Sequence, residues 1–250
     1  MQYTLESYVM TNVGKVRHKN EDNFYFYHHI NDNMENKISF FNEEVLDSPR
    51  LFGVFDGMGG EHEGEKASYI MADICRKYTL HERFLKDDLK AICHIANERV
   101  CQEMISQKKR MGTTASMLVF SDNVYICNIG DSPIFLFRNG KLIELYEEHT
   151  ERKLYQKIKV NTSKKKYHLT QNIGVFQDEV MIKPYIDQID IKNNDIFLIC
   201  SDGLTDMIDY KKIMQCLNNW SQDTIHHLMN LALDAGGKDN MTMILVKVKA

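Results

Sequence analysis

Leu51-Phe52-Gly53-Val54-Phe55-Asp56-Gly57-Met58-Gly59-Gly60 runs from an apolar stretch straight into an acid and a glycine-rich turn. Its first half, Leu51 to Phe55, crowds aromatic and branched residues into a buried strand, so Asp56 stands at that strand's end. Downstream, Ala67, Ile70, Met71, Ile74, Cys75 and Tyr78 recur at the i, i+3, i+4, i+7 spacing of an amphipathic helix. A strand, an acidic turn and a helix therefore follow one another here.

The same reading extends along the chain. Further strands are expected at Asn23 to His28, Ala115 to Phe120, Val124 to Ile129, Ile134 to Phe137, Ile196 to Cys200 and Thr242 to Val248. A second helix is marked by Leu85, Leu89, Ile92, Cys93, Ala96, Val100 and Met104, and a third by Ile225, Leu228, Met229 and Ala232. Asn139-Gly140, set between Ile134 to Phe137 and Leu142 to Leu145, is a type I′ hairpin signal and argues for antiparallel pairing. This order is neither a βαβ alternation nor an all-β barrel, and an α+β layered fold fits it.

Composition narrows the class. At 250 residues, with 43% hydrophobic and 26% charged residues, one globular domain over 1–250 is expected. A net charge of -4 gives no general reason to expect nucleic acid as partner. No apolar run reaches the roughly 18–20 residues of a membrane span, and the first residues lack the basic start and apolar core of a signal peptide. Cys75, Cys93, Cys101, Cys127, Cys200 and Cys216 lie in apolar segments without a Cys-x-x-Cys pair, which reads as buried reduced thiols. A cytoplasmic monomer is expected.

The placement of the acids carries the chemistry. Asp56 follows one strand, Asp202 follows Ile196 to Cys200 and precedes Gly203, and Asp239 with Asn240 precedes the last strand. Aspartate beside glycine also marks ordinary turns, so each acid alone has that simpler reading. If the three strand ends converge, however, the charges repel and lose hydration, and a bound cation resolves the conflict. Oxygen donors without a His or Cys cluster select Mg or Mn over zinc, and a backbone carbonyl such as that of Gly57 could join them. Near the N-terminus, Gly14 to Asn23 offers Arg17, a planar fork for phosphate oxygens, and Glu21 and Asp22, which could serve a metal directly or through water.

These pieces occur in the order of a known family. Arg17 with Asn20-Glu21-Asp22, then VFDGMGGEHEGEKAS (54–68), MGTTA (111–115), NIGDSPIFLFRNGKL (128–142), LICSDGLTDMI (198–208) and GGKDNMTMILVKV (236–248) resemble the metal-dependent Ser/Thr protein phosphatases of type 2C, in their bacterial form. The resemblance implies a four-layer αββα sandwich, two antiparallel β-sheets flanked by helices with two metals at one sheet edge. It implies that Asp56 bridges two Mn or Mg ions, that the Gly57 carbonyl binds one, and that Asp202 and Asp239 complete the other. Glu21 and Asp22 would act through metal-held water, and Arg17 would hold the substrate phosphate. Asp131, in Gly130-Asp131-Ser132, matches a position that binds a third, weaker metal together with Asp202; its simpler reading is a side chain capping its own turn. Thr113 and Asn240 would position ligands without touching substrate.

The implied reaction is hydrolysis of phosphoserine and phosphothreonine in proteins by water activated between two ions, with phosphorylated proteins and a Ser/Thr kinase as partners. Two rivals remain: a family member that binds phosphoproteins without turnover, and a hydrolase of small phosphorylated metabolites. The sequence also departs from the pattern. Met58 stands where many eukaryotic members carry a histidine that protonates the leaving group, and His62 is a nominal substitute that also reads as a surface residue. Pro133 stands where an arginine is common. Residues 151–168 hold Arg152, Lys153, Lys157, Lys159, Lys164, Lys165 and Lys166 against Glu151, either a solvated loop or a lure for anionic substrates beside the cleft.

Overall fold

The computed structural model describes residues 2–59, 63–159 and 167–250. Two antiparallel sheets stack face to face. One has six strands in the order β10-β9-β12-β13-β1-β3, where β1 is Thr4–Asn12, β3 Lys37–Val45, β9 Ile134–Arg138, β10 Lys141–Glu144, β12 Ile196–Cys200 and β13 Met241–Lys249. The other has five in the order β11-β8-β7-β4-β2, with β2 at Asn23–Phe26, β4 at Arg50–Phe55, β7 at Ala115–Phe120, β8 at Asn123–Ile129 and β11 at Tyr185–Asp190. A short pair, β5 (Gly57–Met58) and β6 (Gly112–Thr113), extends beyond the β4 end.

Alternation along each strand divides the core into three layers. Leu5 and Val9 from β1, Phe52 and Val54 from β4, Leu118, Phe197 and Ile244 meet between the sheets. Each such buried side chain contributes roughly 1.5–3 kcal/mol. The opposite face of the five-stranded sheet packs on α1 (Gly64–Lys77) and α2 (Leu85–Gln107) through Met71, Leu89, Ile92 and Met117. The outer face of the six-stranded sheet packs on α4 (Asp202–Thr205), α5 (Tyr210–Asn218) and α6 (Thr224–Asp234) through Leu198, Leu204, Ile213 and Leu228. The helix α3 (Glu151–Lys157) buries none of its residues. The layers are therefore helix, sheet, sheet, helix, as expected.

The strand read as Asn23 to His28 stops at Phe26. Tyr27 and His28 take φ of 47° and 68°, and the chain folds back so that His29 pairs with Phe26. Asn139 and Gly140, at φ 53° and 73°, form the hairpin turn that their pairing signals. Strands β1, β3 and β11 and the short helices α3 and α4 carry no clear period in the sequence, whereas α5 sets Ile213, Cys216 and Leu217 at helical spacing on its buried face. Five of the cysteines are buried and Cys101 is half-buried. Among the described residues, no helix is long and apolar enough to cross a membrane.

Candidate metal centre

Antiparallel pairing brings the acids to one rim. Asn23 opposes Phe55 in the β2–β4 ladder, so Asp22, just before β2, and Asp56, just after β4, leave the sheet side by side. In the other sheet Cys200 opposes Met243, so Asp202 emerges beyond β12 where Asp239 and Asn240 lead into β13. Asp131 follows β8, which ends at the same rim because Ala115 at the start of β7 opposes Ile129. Neighbouring strands thus alternate ends and starts here, and β2, β4, β8, β12 and β13 each deliver an acid.

Short polar contacts fix these positions. The Asp56 carbonyl accepts from Thr113 Oγ1 (2.9 Å) and from the Thr114 amide (2.9 Å), and the Asp56 amide donates to Thr114 Oγ1 (3.0 Å). Thr113 also exchanges backbone hydrogen bonds with Ile173 at 3.0 and 2.9 Å. Asn240 accepts from the Glu21 amide (2.8 Å) and donates to the carbonyls of Val13 (3.0 Å) and Lys19 (2.9 Å), so it clasps the Arg17 segment to β13. Ser201 donates to Asp22 Oδ2 (2.7 Å) and accepts from the Thr242 amide (3.0 Å). A Cβ at Gly57 would lie 2.3 Å from the carbonyl oxygens of both Glu21 and Gly64, so only glycine permits that approach.

Electrostatically the rim is over-supplied with negative charge. Burial pushes Asp22 above the carboxylate range, against the Ser201 hydrogen bond, and Asp202 and Asp239 push it further. Asp56 is raised well above its ordinary value by burial and then by Asp22, Asp202, Asp131 and Asp239. Burial and the Asp202 charge push Asp131 up to about 7. Asp202 is raised by burial, Asp206 and Asp239, and Glu21 by burial and then Glu65. Burial and mutual repulsion thus shift all five acids toward the neutral form.

Arg17 answers this charge in part. Its Nη2 donates to Asp239 Oδ2 at 2.7 Å, and both side chains are partly exposed. Among the described residues, no three His, Cys, Asp or Glu side chains are closed into a set that could hold a metal ion. The acids are neighbours, with Asp239 turned to Arg17 and Asp22 to Ser201. Every acid singled out in the sequence reaches this rim. Thr114, Ser201 and Glu65 were not singled out, although Thr114 and Ser201 adjoin Thr113 and Asp202 directly.

Beside the rim, the basic segment is closed at its base. Gly130 and His149 exchange two bonds, Gly130 N to His149 Nδ1 (3.1 Å) and His149 N to the Gly130 carbonyl (3.0 Å), while Glu151 N reaches the His168 carbonyl (2.9 Å). Arg152 pairs with Glu148 at 2.8 Å and Lys157 with Glu147, so part of the positive charge is neutralised by the residues just before it. His62 and the Lys164 to Lys166 run lie outside the described residues.

Comparison with known proteins places this geometry. The chain is 25% identical over 238 residues to a probable protein phosphatase 2C 11 of Arabidopsis thaliana, covering 87% of this chain and 62% of that protein. It is 28% identical over 253 residues to the serine/threonine phosphatase stp of Listeria monocytogenes, covering 95% of this chain and 93% of that one. Among solved structures, the catalytic domain of the serine/threonine protein phosphatase PstP, in complex with two manganese ions, superposes with a TM-score of 0.79 at 24% identity, covering 99% of this chain and 100% of that one. The chain thus spans less than two thirds of the Arabidopsis relative's length. Residues 6–155 match the protein phosphatase 2C family. By that match and by its two-sheet fold, the chain belongs to the protein phosphatase 2C family.

Proposed function

We propose that this chain is a metal-dependent protein serine/threonine phosphatase, with residues 1–250 acting as a single catalytic domain. One observation carries the reading: Asp22, Asp56, Asp131 and Asp202 crowd one rim with their carboxyls pushed toward neutrality by burial and by one another. Such an arrangement opposes folding unless cations compensate it. The donors are all oxygen, which fits Mn or Mg.

Asp56 would bridge two ions, the Gly57 carbonyl would serve one, and Asp202 and Asp239 the other. Glu21 and Asp22 would hold water around them, and Asp131 with Asp202 would take a third, weaker ion. When bound, paired divalent ions lower the pKa of water and offset charge on phosphoryl oxygens. The chain's own residues do the rest. Arg17 leaves Asp239 and turns its fork to the phosphate, where two N–H groups fix the phosphoryl oxygens. Thr113 and Thr114 keep the Asp56 backbone from shifting, and Asn240 holds the Arg17 and Glu21 segment against β13. Ser201 fixes the rotamer of Asp22. Met58 has no proton to give the leaving group.

The substrates would be phosphorylated proteins, with a Ser/Thr kinase supplying them, and the enzyme a cytoplasmic monomer. Release of phosphate from a phosphothreonine peptide, compared with a sugar phosphate, tests the reading. The peptide should be hydrolysed with Mn, and neither in EDTA nor by Asp202→Asn. Equal release in all three conditions would reject the metal chemistry, and preference for the sugar phosphate would favour the metabolite hydrolase.

A further inference from the structure

Glu65, in the first turn of α1, faces the same rim from outside the set of acids assigned above. Its Oε1 is 3.2 Å from Lys19 Nζ, while its Oε2 is fully buried and, among the described residues, has no hydrogen-bond partner. A buried acceptor left unmade is costly, and native structures usually supply it with a donor. Among the described residues, the adjacent Ser68 and Glu21 do not supply it. Ser68 Oγ is already given to the Glu21 carbonyl (2.6 Å) and to the Glu65 carbonyl (3.1 Å), and Glu21 is itself a carboxylate.

Backbone packing shows how close these groups stand. The Gly57, Gly64 and Glu21 carbonyl region is so tight that a Cβ at Gly57 would lie 2.3 Å from the oxygens of both Glu21 and Gly64. Glu65 follows Gly64 directly, and its partner Lys19 stands two residues before Glu21. One buried acceptor is therefore left unfilled where α1 starts against the Glu21 and Gly57 backbone. Hydrated Mg and Mn retain several waters, which are donors of the kind this oxygen lacks.

We propose that Glu65 is a metal-positioning residue, its free Oε2 accepting the hydrogen bond of a water that arrives with the divalent ion beside Glu21 and Gly57. This rests on the metal-dependent reading above and adds an acid that neither touches substrate nor binds the ion directly. Partners of this kind typically change metal affinity by about 10–100-fold.

Isothermal titration of the metal-free full chain with Mn tests it, together with its melting temperature in EDTA. The unaltered chain should bind Mn; if it does not, the metal reading itself falls, and this inference with it. Glu65→Gln keeps the shape and loses the carboxylate, and should weaken one binding step about tenfold while the other step and the melting temperature in EDTA hold. Glu65→Asp keeps the charge, guards against a Gln variant that folds poorly, and should recover part of the lost affinity. Mn isotherms of both variants that superpose on the unaltered chain's would overturn the role of Glu65 and leave the metal reading standing.

Discussion

The two rims of the six-stranded sheet hold acids in opposite ways. At the rim where β12 begins, Asp195 is 1% exposed and accepts from Arg138 Nε (2.7 Å), Arg138 Nη2 (2.6 Å) and the Lys192 amide (2.9 Å). At the rim where β12 ends, Asp202 is flanked by Asp206, Asp239 and Asp56, with Arg17 offsetting them in part. The same five-residue strand thus links a closed ion pair to an open cluster. Folding alone explains the first, since a buried charge with all its lone pairs served is tolerated. The second is the cluster that the proposed ions would complete.

Substitution at either end of β12 should separate the two roles. The largest effect is expected for Asp202→Asn, which should lower kcat/KM on a phosphothreonine peptide by roughly 10³–10⁴-fold, because metal chemistry contributes several kcal/mol to such reactions. Its stability in EDTA should hold or rise, since one repelling charge is gone. Arg138→Ala should do the reverse. Removing one partner of a buried pair costs about 3–5 kcal/mol, read as a lower urea midpoint, while activity per folded molecule is retained. If Asp202→Asn unfolds the protein as readily as Arg138→Ala does, the open rim is a structural cluster and the contrast disappears.

Manganese sharpens the same contrast with a smaller effect. At a hundredfold excess over its dissociation constant, one bound ion adds about 2.7 kcal/mol of stability. Thermal or urea unfolding with and without Mn should show that gain in the unaltered chain and in Arg138→Ala. In Asp202→Asn the gain should shrink or vanish. An undiminished gain in Asp202→Asn would take Asp202 out of the ion-binding set.

This contrast also explains what the sequence discloses. Strand β12 is legible to the residue because Ile196 to Cys200 is apolar throughout, buried on both faces between the inter-sheet core and α4 to α6. Strand β1, equally buried, is not legible, since Thr4–Asn12 carries Glu6, Ser7 and Thr11. Several of those polar groups find partners far away in sequence, as when Thr11 Oγ1 meets Thr242 Oγ1 at 2.7 Å across 231 residues of sequence. At the open rim, Asp56, Asp202 and Asp239 can be singled out because each abuts a strong strand. Ser201 acts through a hydrogen bond that exists only once the sheets stack, Thr114 through bonds that exist only once β4 pairs with β7, and Glu65 through a missing bond that no sequence pattern encodes.

Glu6 offers the finest test of the closed rim, because its pH response has a definite sign. It is nearly buried, accepts from the Tyr8 hydroxyl at 2.6 Å and lies 3.0 Å from Lys249 Nζ, at the end of β1 that shares the Asp195 rim. Burial alone would raise its carboxyl, yet Tyr8, Lys249 and Lys247 together hold it below its ordinary 4.5. A carboxyl lowered in the folded state adds stability above its unfolded pKa and loses that stability as pH falls through the folded pKa. Glu6→Gln should therefore cost about 1 kcal/mol at pH 7, with the gap to the unaltered chain closing as pH drops from about 5 to 3. Urea unfolding across that range measures it. A gap that widened in acid would mean Glu6 is strained like the acids of the open rim, and the two ends of the sheet would then no longer differ in kind.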